Sequence, residues 1–215
     1  MDVYRELLNT YDYIFSIHAS SELSGTYQSA VLARDEVAPE KIEVVDSRAA
    51  TACQALIVIE AARRAAGPDA DIVAVRQRIQ EVMASTRLLF VVGTLEYLHK
   101  NGRIGKAASV LGTLLSIKPL LTIEDGVVAP YEKVLGSRKA LKRVMQLVEE
   151  EVGQAPISVM VAHCAAPDKA SEFVEAVKAN LNCVEIRVIE VGPVVGAHAG
   201  PGAAGIGWHT VPEKA

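Results

Sequence analysis

Short apolar runs alternate with helical stretches along the first part of the chain. The strands are predicted at 13–19, at 42–47 and from Arg87, and the helices at 26–36, 51–66 and 72–83. Strands that alternate with helices in this way favour parallel pairing through helical crossovers. The pattern therefore predicts an α/β domain with a parallel sheet over residues 1–86.

The pattern changes after residue 86. Two β-rich runs flank Asp125-Gly126, and an Asp-Gly pair suits the positive φ angles of a tight hairpin. A helix is predicted to begin at Ser137, a favourable N-cap, and further strands and a helix follow over 157–191. The helix from Ser137 has one apolar face, made of Leu141, Val144, Met145, Val148 and Val152. We therefore expect a smaller α+β domain with a mixed or antiparallel sheet over residues 87–215.

The segment 93–121 predicts two short amphipathic helices joined at Asn101-Gly102. Their apolar positions are Leu95, Leu98, Val110, Leu111, Leu114 and Leu115. These faces are expected to belong to the core or to line a tunnel. Arg103 lies at the joint, where it would either pair with an anion or serve as a solvated or helix-capping residue.

Composition narrows the class of protein. The chain is 50% hydrophobic and 22% charged, as in folded globular proteins, and its net charge of -4 argues against nucleic acid as the main partner. The three cysteines form no C-x-x-C pair and the five histidines form no ligand cluster, so neither a metal nor a cofactor is expected. No apolar run reaches the length of a membrane span, and the first residues do not resemble a signal peptide. A cytoplasmic protein fits these features best.

The stretch SSELSGT leads from a strand into a helix. Ser24, Gly25 and Thr26 place two hydroxyls and an unshielded backbone at the helix N-terminus, where unpaired N–H groups favour an anion. Such a corner could hold a carboxylate or a phosphate. The alternative is that Ser24 or Thr26 only caps its own helix.

The glycine-rich stretch 191–208 surrounds one histidine, His198. Glycine at this density lets backbone approach backbone or ligand closely, so we expect a tight loop that holds His198. The alternative is a crowded crossing in which His198 makes a structural hydrogen bond. Neither a P-loop nor a dinucleotide fingerprint is present.

Catalysis has less support in the sequence. Ser24, His198 and Asp46 could in principle meet as a triad, but the G-x-S-x-G elbow of serine hydrolases is absent. Hydrolysis by Ser24, or phosphoryl transfer at the anion corner, is therefore the alternative to a binding protein without turnover.

Taken together, these stretches resemble the DegV family of bacterial fatty-acid-binding proteins. The segments that carry the resemblance are SSELSGTYQSA, VVDSRAA, LEYLHKNGRI, LLSIKPLL with its hairpin and EKV, and GAHAGPGAAGIGW. The resemblance implies a long-chain fatty acid buried between the two domains. It also implies that Ser24 and His198 bind the carboxylate, that Gly25 and Thr26 shape the pocket, and that Arg103 lies nearby.

The resemblance further implies a partner. Family members with known roles present the carboxylate to a fatty acid kinase, which feeds phospholipid synthesis, and they have no turnover of their own. Many members read K-V-R-G where this chain has Leu135 as the third residue, and that arginine is implicated in kinase recognition.

The chain also departs from the family at its start. Members usually carry a further N-terminal segment, with a D-S-x-x-D strand and a loop that touches the carboxylate. Its absence is expected to leave the first sheet incomplete and the pocket partly open. A truncated structural or regulatory module that binds no lipid is therefore a further alternative.

Overall fold

The structure is a computed structural model, and it describes residues 1–112 and 117–211. The helices are α1 (Asp2–Leu7), α2 (Thr26–Val37), α3 (Thr51–Ala65), α4 (Ile72–Ser85), α5 (Glu96–Lys100), α6 (Ser137–Val152), α7 (Pro167–Asn180) and α8 (Pro193–Ala199), with a 3₁₀ helix at Gly105–Val110. The strands are β1 (Ile14–His18), β2 (Ile42–Asp46), β3 (Arg87–Val91), β4 (Ile117–Glu124), β5 (Val127–Leu135), β6 (Ile157–His163), β7 (Cys183–Glu190) and β8 (Ala204–Thr210).

The strands form two sheets within the described residues. Strands β1 and β2 pair in parallel, with Ile14 opposite Ile42 and His18 opposite Asp46. The larger sheet has the order β5-β4-β3-β8-β6-β7, and its neighbours are antiparallel except for the parallel pair β6 and β7. A parallel sheet and a mixed sheet confirm the predicted fold class. The mixed sheet, expected in the smaller part, is the larger of the two, because six strands join it and only β1 and β2 form the parallel sheet.

Helix α3 packs against both sheets. Leu56 belongs to a cluster with Leu88 of β3 and Met160 of β6, whereas the adjacent Ile57 packs in a cluster with Phe15 and Ile17 of β1. Adjacent residues point about 100° apart around a helix, so one helix can bury two faces. The domain boundary near residue 86 stays a prediction, and α3 forms a shared layer across it.

The core of the larger sheet lies on the side covered by α6 and α7. Trp208 and Phe173 are buried there, 2% and 1% exposed. The apolar face predicted for α6 is confirmed, because its five residues all belong to this core. The N-cap position is Gly136, with φ of 82°, and not Ser137 as predicted, because the chain turns out of β5 one residue earlier.

The segment 93–121 departs from its prediction. The second amphipathic helix is the 3₁₀ helix Gly105–Val110, which is bracketed by positive φ angles at Gly105 and Gly112. Val110 is buried, but Leu111 is exposed. Leu114 and Leu115 lie outside the described residues.

No helix within the described ranges is both long enough and apolar enough to cross a bilayer.

Candidate ligand-binding site

A cavity of about 460 Å³ lies where loops of the small sheet meet the larger sheet. Its wall is mostly apolar. The lining residues are Ala19, Leu23, Ser24, Thr26, Ala50, Thr51, Leu88, Phe90, Leu98, Arg103, Ile123, Val128, Ala162, His163, Cys164, Val191, Val194, Val195, His198, Ala199, Ala203, Ala204 and Gly205. A cavity of this volume, with a mostly apolar wall and few polar groups, is typical of a site for a small, largely apolar molecule.

The carboxyl ends of the parallel strands β1 and β2 both open onto this cavity. The loop after β1 contributes Ser24 and Thr26, and the loop after β2 contributes Ala50 and Thr51. Parallel strands bring such loops to one edge of the sheet, which is where ligands bind in α/β folds. The fold therefore explains why two separate loops meet at one site.

Ser24 and Thr26 form a hydroxyl pair at the start of α2. Their oxygens Oγ and Oγ1 are 3.1 Å apart, and Ser24 Oγ accepts the N–H of Thr26 at 3.3 Å. Ser24 thus bonds to the helix terminus and also lines the cavity. Anion binding at this corner stays a prediction. Gly25 is the N-cap and does not belong to the lining of the described chain.

His198 lies in the last turn of α8 and not in a glycine loop as predicted. Its Nδ1 is buried and has no hydrogen-bond partner among the described residues. A buried polar atom without a partner costs free energy, so this nitrogen is suited to a ligand oxygen or hydroxyl. Gly200 follows and ends the helix with φ of 75°, a positive value that glycine adopts at no steric cost.

Arg103 lines the cavity but also makes structural hydrogen bonds. Its Nε donates to the carbonyl oxygen of Leu23 at 3.0 Å, and its Nη1 donates to that of Asn101 at 3.1 Å. Of the predicted site residues, the structure thus brings Ser24, Thr26, Arg103 and His198 to one cavity.

The other hydroxyls of the segment 16–26 make structural hydrogen bonds to other parts of the chain. Ser16 Oγ accepts the Tyr4 hydroxyl at 2.7 Å, and Ser20 Oγ donates to the Gly126 carbonyl at 2.7 Å. Ser21 Oγ donates to the Asp46 carboxylate at 2.6 Å. None of these three serines is among the described residues that line the cavity.

The structure does not assemble a catalytic triad from Ser24, His198 and Asp46. Asp46 accepts hydrogen bonds from Ser21 and from the backbone N–H of Arg48, at 2.9 Å for the latter. Because His198 Nδ1 has no partner in the described chain, no carboxylate orients this imidazole as triad chemistry requires. Burial also raises the pKa of the Cys53 thiol, which disfavours the nucleophilic thiolate.

Three polar residues of the cavity are not predicted from the sequence: Thr51, His163 and Cys164. His163 is 9% exposed, and its Nδ1 accepts the N–H of Ala166 at 3.3 Å. The signal that could have found them is their place in the chain, because Thr51 follows β2, while His163 and Cys164 stand at the end of β6.

The structure was also searched for a metal site and for a second ligand-binding site. Among the described residues, no group of three or more His, Cys, Asp or Glu side chains could hold a metal ion. A groove of about 740 Å³ between α6 and α7 is larger than the cavity, but charged residues such as Lys139, Lys142 and Glu149 line it. Apolar side chains such as Leu141, Met145 and Phe173 line it as well, but none of the predicted site residues does.

The chain is similar to known proteins over almost its whole length. A family model described as "Uncharacterised protein, DegV family" matches residues 1–211. A DegV domain-containing protein of Streptomyces coelicolor is 39% identical over 199 residues, which are 91% of this chain and 69% of that protein. Protein DegV of Bacillus subtilis is 32% identical, over 96% of this chain and 74% of its own length.

Solved structures with the same fold bind fatty acids. A DegV family protein from Thermus thermophilus, described by its fatty acid binding, superimposes with a TM-score of 0.92 at 32% identity; the match covers 98% of this chain and 75% of that one. DegV from Bacillus subtilis, described as a fatty acid binding protein, superimposes with a TM-score of 0.85 at 29% identity and the same coverage.

Proposed function

We propose, from the premise that this chain belongs to the DegV family, that it binds a long-chain fatty acid in the cavity. The carboxylate lies at Ser24 and His198, and the tail lies against the apolar walls. The observation that carries the proposal is an apolar cavity into which Ser24, Thr26, Arg103 and His198 converge, one of them with a buried, unpartnered nitrogen.

The head group is held by charge-assisted hydrogen bonds. A carboxylate removed from water must be hydrogen-bonded, and hydrogen bonds to a charged group are among the stronger ones in proteins. The Ser24 hydroxyl and an N–H at His198 Nδ1 supply donors from opposite ends of the chain. Thr26 contributes at the N-terminus of α2, where backbone N–H groups and the helix dipole favour an anion, and Gly25 shapes the turn that leads into it.

The tail supplies most of the binding free energy. Leu88 and Phe90 of β3, Ile123 of β4 and Val128 of β5 provide apolar wall. Burial of a 16-carbon tail at about 0.8 kcal/mol per CH2 contributes on the order of 12 kcal/mol before the costs of ordering. A ligand held in this way is expected to survive purification.

The proposed role is that of a carrier without turnover. The hydrolase alternative needs an oriented base beside Ser24, and the hydrogen bonds of Asp46 are made elsewhere. The family resemblance supports a cytoplasmic fatty acid kinase as the partner that phosphorylates the bound carboxylate for phospholipid synthesis. Leu135, which replaces the arginine of many relatives, is 60% exposed on β5. Acyl phosphate formation by a bacterial fatty acid kinase on the loaded chain tests this part of the proposal.

The binding proposal is tested by mass spectrometry of the purified chain, native and after organic extraction. We expect about one equivalent of long-chain fatty acid per chain, either as purified or after incubation with palmitate. The double variant Ser24→Ala/His198→Ala should weaken palmitate binding by roughly tenfold or more, because it removes two hydrogen bonds to a charged group.

The control is Ser171→Ala/His99→Ala, which changes the same residue types at exposed positions outside the cavity lining. The control should bind like the wild type. Full retention of palmitate by Ser24→Ala/His198→Ala would contradict the head-group assignment. A chain that stays empty after incubation with palmitate would contradict fatty acid binding itself and support the non-binding alternative.

A further inference from the structure

The residue after α5 caps two helices at once. The side-chain amide of Asn101 donates to the carbonyl oxygens of Tyr97 and Ala197, each at 3.0 Å. Tyr97 is in the last turn of α5, and Ala197 is in the last turn of α8. Carbonyls in the last turn of a helix have few partners within the helix. The Tyr97 carbonyl also accepts the backbone N–H of Asn101 at 3.1 Å, so the side-chain amide is its second donor and links it to the end of α8.

The orientation of this amide follows from its partners. Both acceptors are carbonyl oxygens, and the amide NH2 has two hydrogens to donate. The reverse orientation would place Asn101 Oδ1 against those two oxygens. Asn101 is therefore a donor to both helices.

Arg103 connects the same turn to the segment that carries Ser24. It donates to the carbonyl of Leu23, the residue before Ser24, and to the carbonyl of Asn101. Gly102 lies between them with φ of 68°, a conformation that suits glycine. The turn Asn101–Arg103 is therefore hydrogen-bonded to both segments that carry the proposed head-group contacts.

The contact between α5 and α8 is close. A Cβ atom at Gly200 would overlap the ring of Tyr97, so the missing side chain lets this ring pack against the end of α8. His198 follows Ala197 directly. The position of its ring relative to Ser24 thus depends on how α8 is held by α5.

We infer that Asn101 is a positioning residue for the fatty acid carboxylate. It lies outside the cavity lining of the described chain, and it acts by holding α8 so that His198 meets the same carboxylate as Ser24. The inference rests on the proposed function, and it adds a residue whose role is exerted through His198.

Palmitate binding is first compared among single variants of the full chain. Asn101→Ala, and the isosteric Asn101→Asp, which offers a carboxylate to the same two carbonyls, should each weaken binding by about three- to tenfold, the loss of a hydrogen bond. The matched control is Asn182→Ala, because the Asn182 amide also donates to a backbone carbonyl, that of Gln154 at 3.1 Å, at an exposed site. This control should leave the dissociation constant unchanged.

A double-mutant cycle then separates positioning from general destabilisation. If Asn101 acts through His198, Asn101→Ala should change binding by less than about twofold in the His198→Ala background, and the two effects should be strongly non-additive. In the background of Ile123→Ala, a change in the apolar wall, the effect of Asn101→Ala should persist in full. The carboxyl 13C resonance of bound [1-13C]palmitate should shift in Asn101→Ala as it does in His198→Ala.

The outcomes are distinguishable. A wild-type chain that binds no palmitate overturns the proposed function and this inference with it. Wild-type binding together with an unchanged dissociation constant in Asn101→Ala and Asn101→Asp overturns the inference alone. So does additivity of Asn101→Ala and His198→Ala, or a 13C resonance unmoved by Asn101→Ala.

Discussion

Hydroxyl side chains between Ser16 and Thr26 have two different roles. Ser20 is fully buried and bonds to Gly126, more than a hundred residues away, whereas Ser24 lies on the cavity. The sequence shows only a series of similar hydroxyls, and a hydroxyl can cap, bridge or bind a ligand with the same atoms. Which of these roles each residue takes depends on its distant neighbours.

The buried His209 makes the stability of the fold depend on pH. It is fully buried, and its Nδ1 donates to the carbonyl of Thr210 at 2.9 Å. Burial lowers the pKa of His209, against the smaller opposing effects of this hydrogen bond and of nearby Glu60. Burial also lowers the pKa of His18. Both imidazoles therefore bind protons more weakly in the folded than in the unfolded chain.

We expect the free energy of unfolding to fall as the pH drops from about 7.5 to about 5.5. The stabilisation is fully present above the unfolded pKa of about 6.5, and it is lost as pH falls toward the lowered folded pKa. The free energy of unfolding, measured in urea across this range, should depend less steeply on pH in His209→Gln than in the wild type. The exposed His99→Gln serves as control. An equal slope in His209→Gln and the wild type would contradict the assignment.

At the scale of elements, α8 shows how packing overrides a local pattern. Gly196 disfavours a helix at this point of the chain, and the sequence predicted a loop there. The helix forms because its glycines allow close contacts: a Cβ at Gly196 would lie 3.3 Å from Cys164 Sγ, and one at Gly200 would overlap Tyr97. By contrast, β2, α3 and α6 follow their apolar patterns and lie close to their predicted positions.

Strand β8 depends on a missing side chain at Gly205. A Cβ there would overlap Phe90 and lie 2.8 Å from the Leu89 carbonyl oxygen. Gly205→Ala should therefore lower the free energy of unfolding by about 1–3 kcal/mol, as overpacking does. Gly67→Ala is the matched control, because Gly67 lies outside the helices and strands, its φ is not positive, and a Cβ would meet its neighbours no closer than 3.5 Å. Urea denaturation of both variants checks the difference, and equal stabilities would contradict it.

At the scale of the whole molecule, α3 joins the two sheets. One of its faces packs with Leu88 and Met160, and another packs with Phe15 and Ile17. A two-stranded sheet is marginal by itself, so β1 and β2 rely on this shared helix for stability. The cavity is built by the same arrangement, because loops after β1 and β2 meet the larger sheet there.

We therefore expect the two sheets to unfold together. Trp208, the one tryptophan of the chain, is buried in β8 and reports on the larger sheet. Its fluorescence and the far-UV circular dichroism of the whole chain should give coincident transitions in urea. A circular dichroism change that precedes the Trp208 transition would show that residues 1–86 unfold as a separate domain.

The sequence by itself determined the alternation of strands and helices, the hairpin at Asp125-Gly126, and the stretches around Ser24 and His198. These features follow from local periodicity, turn chemistry and recurring motifs, which neighbouring residues encode. Only the tertiary structure decided that His198 lies on a helix, that Asp46 is bonded to Ser21, and that Asn101 connects α5 to α8. The reason is physical: these outcomes are hydrogen bonds and contacts between distant residues, and no local pattern specifies which partner a polar group finds.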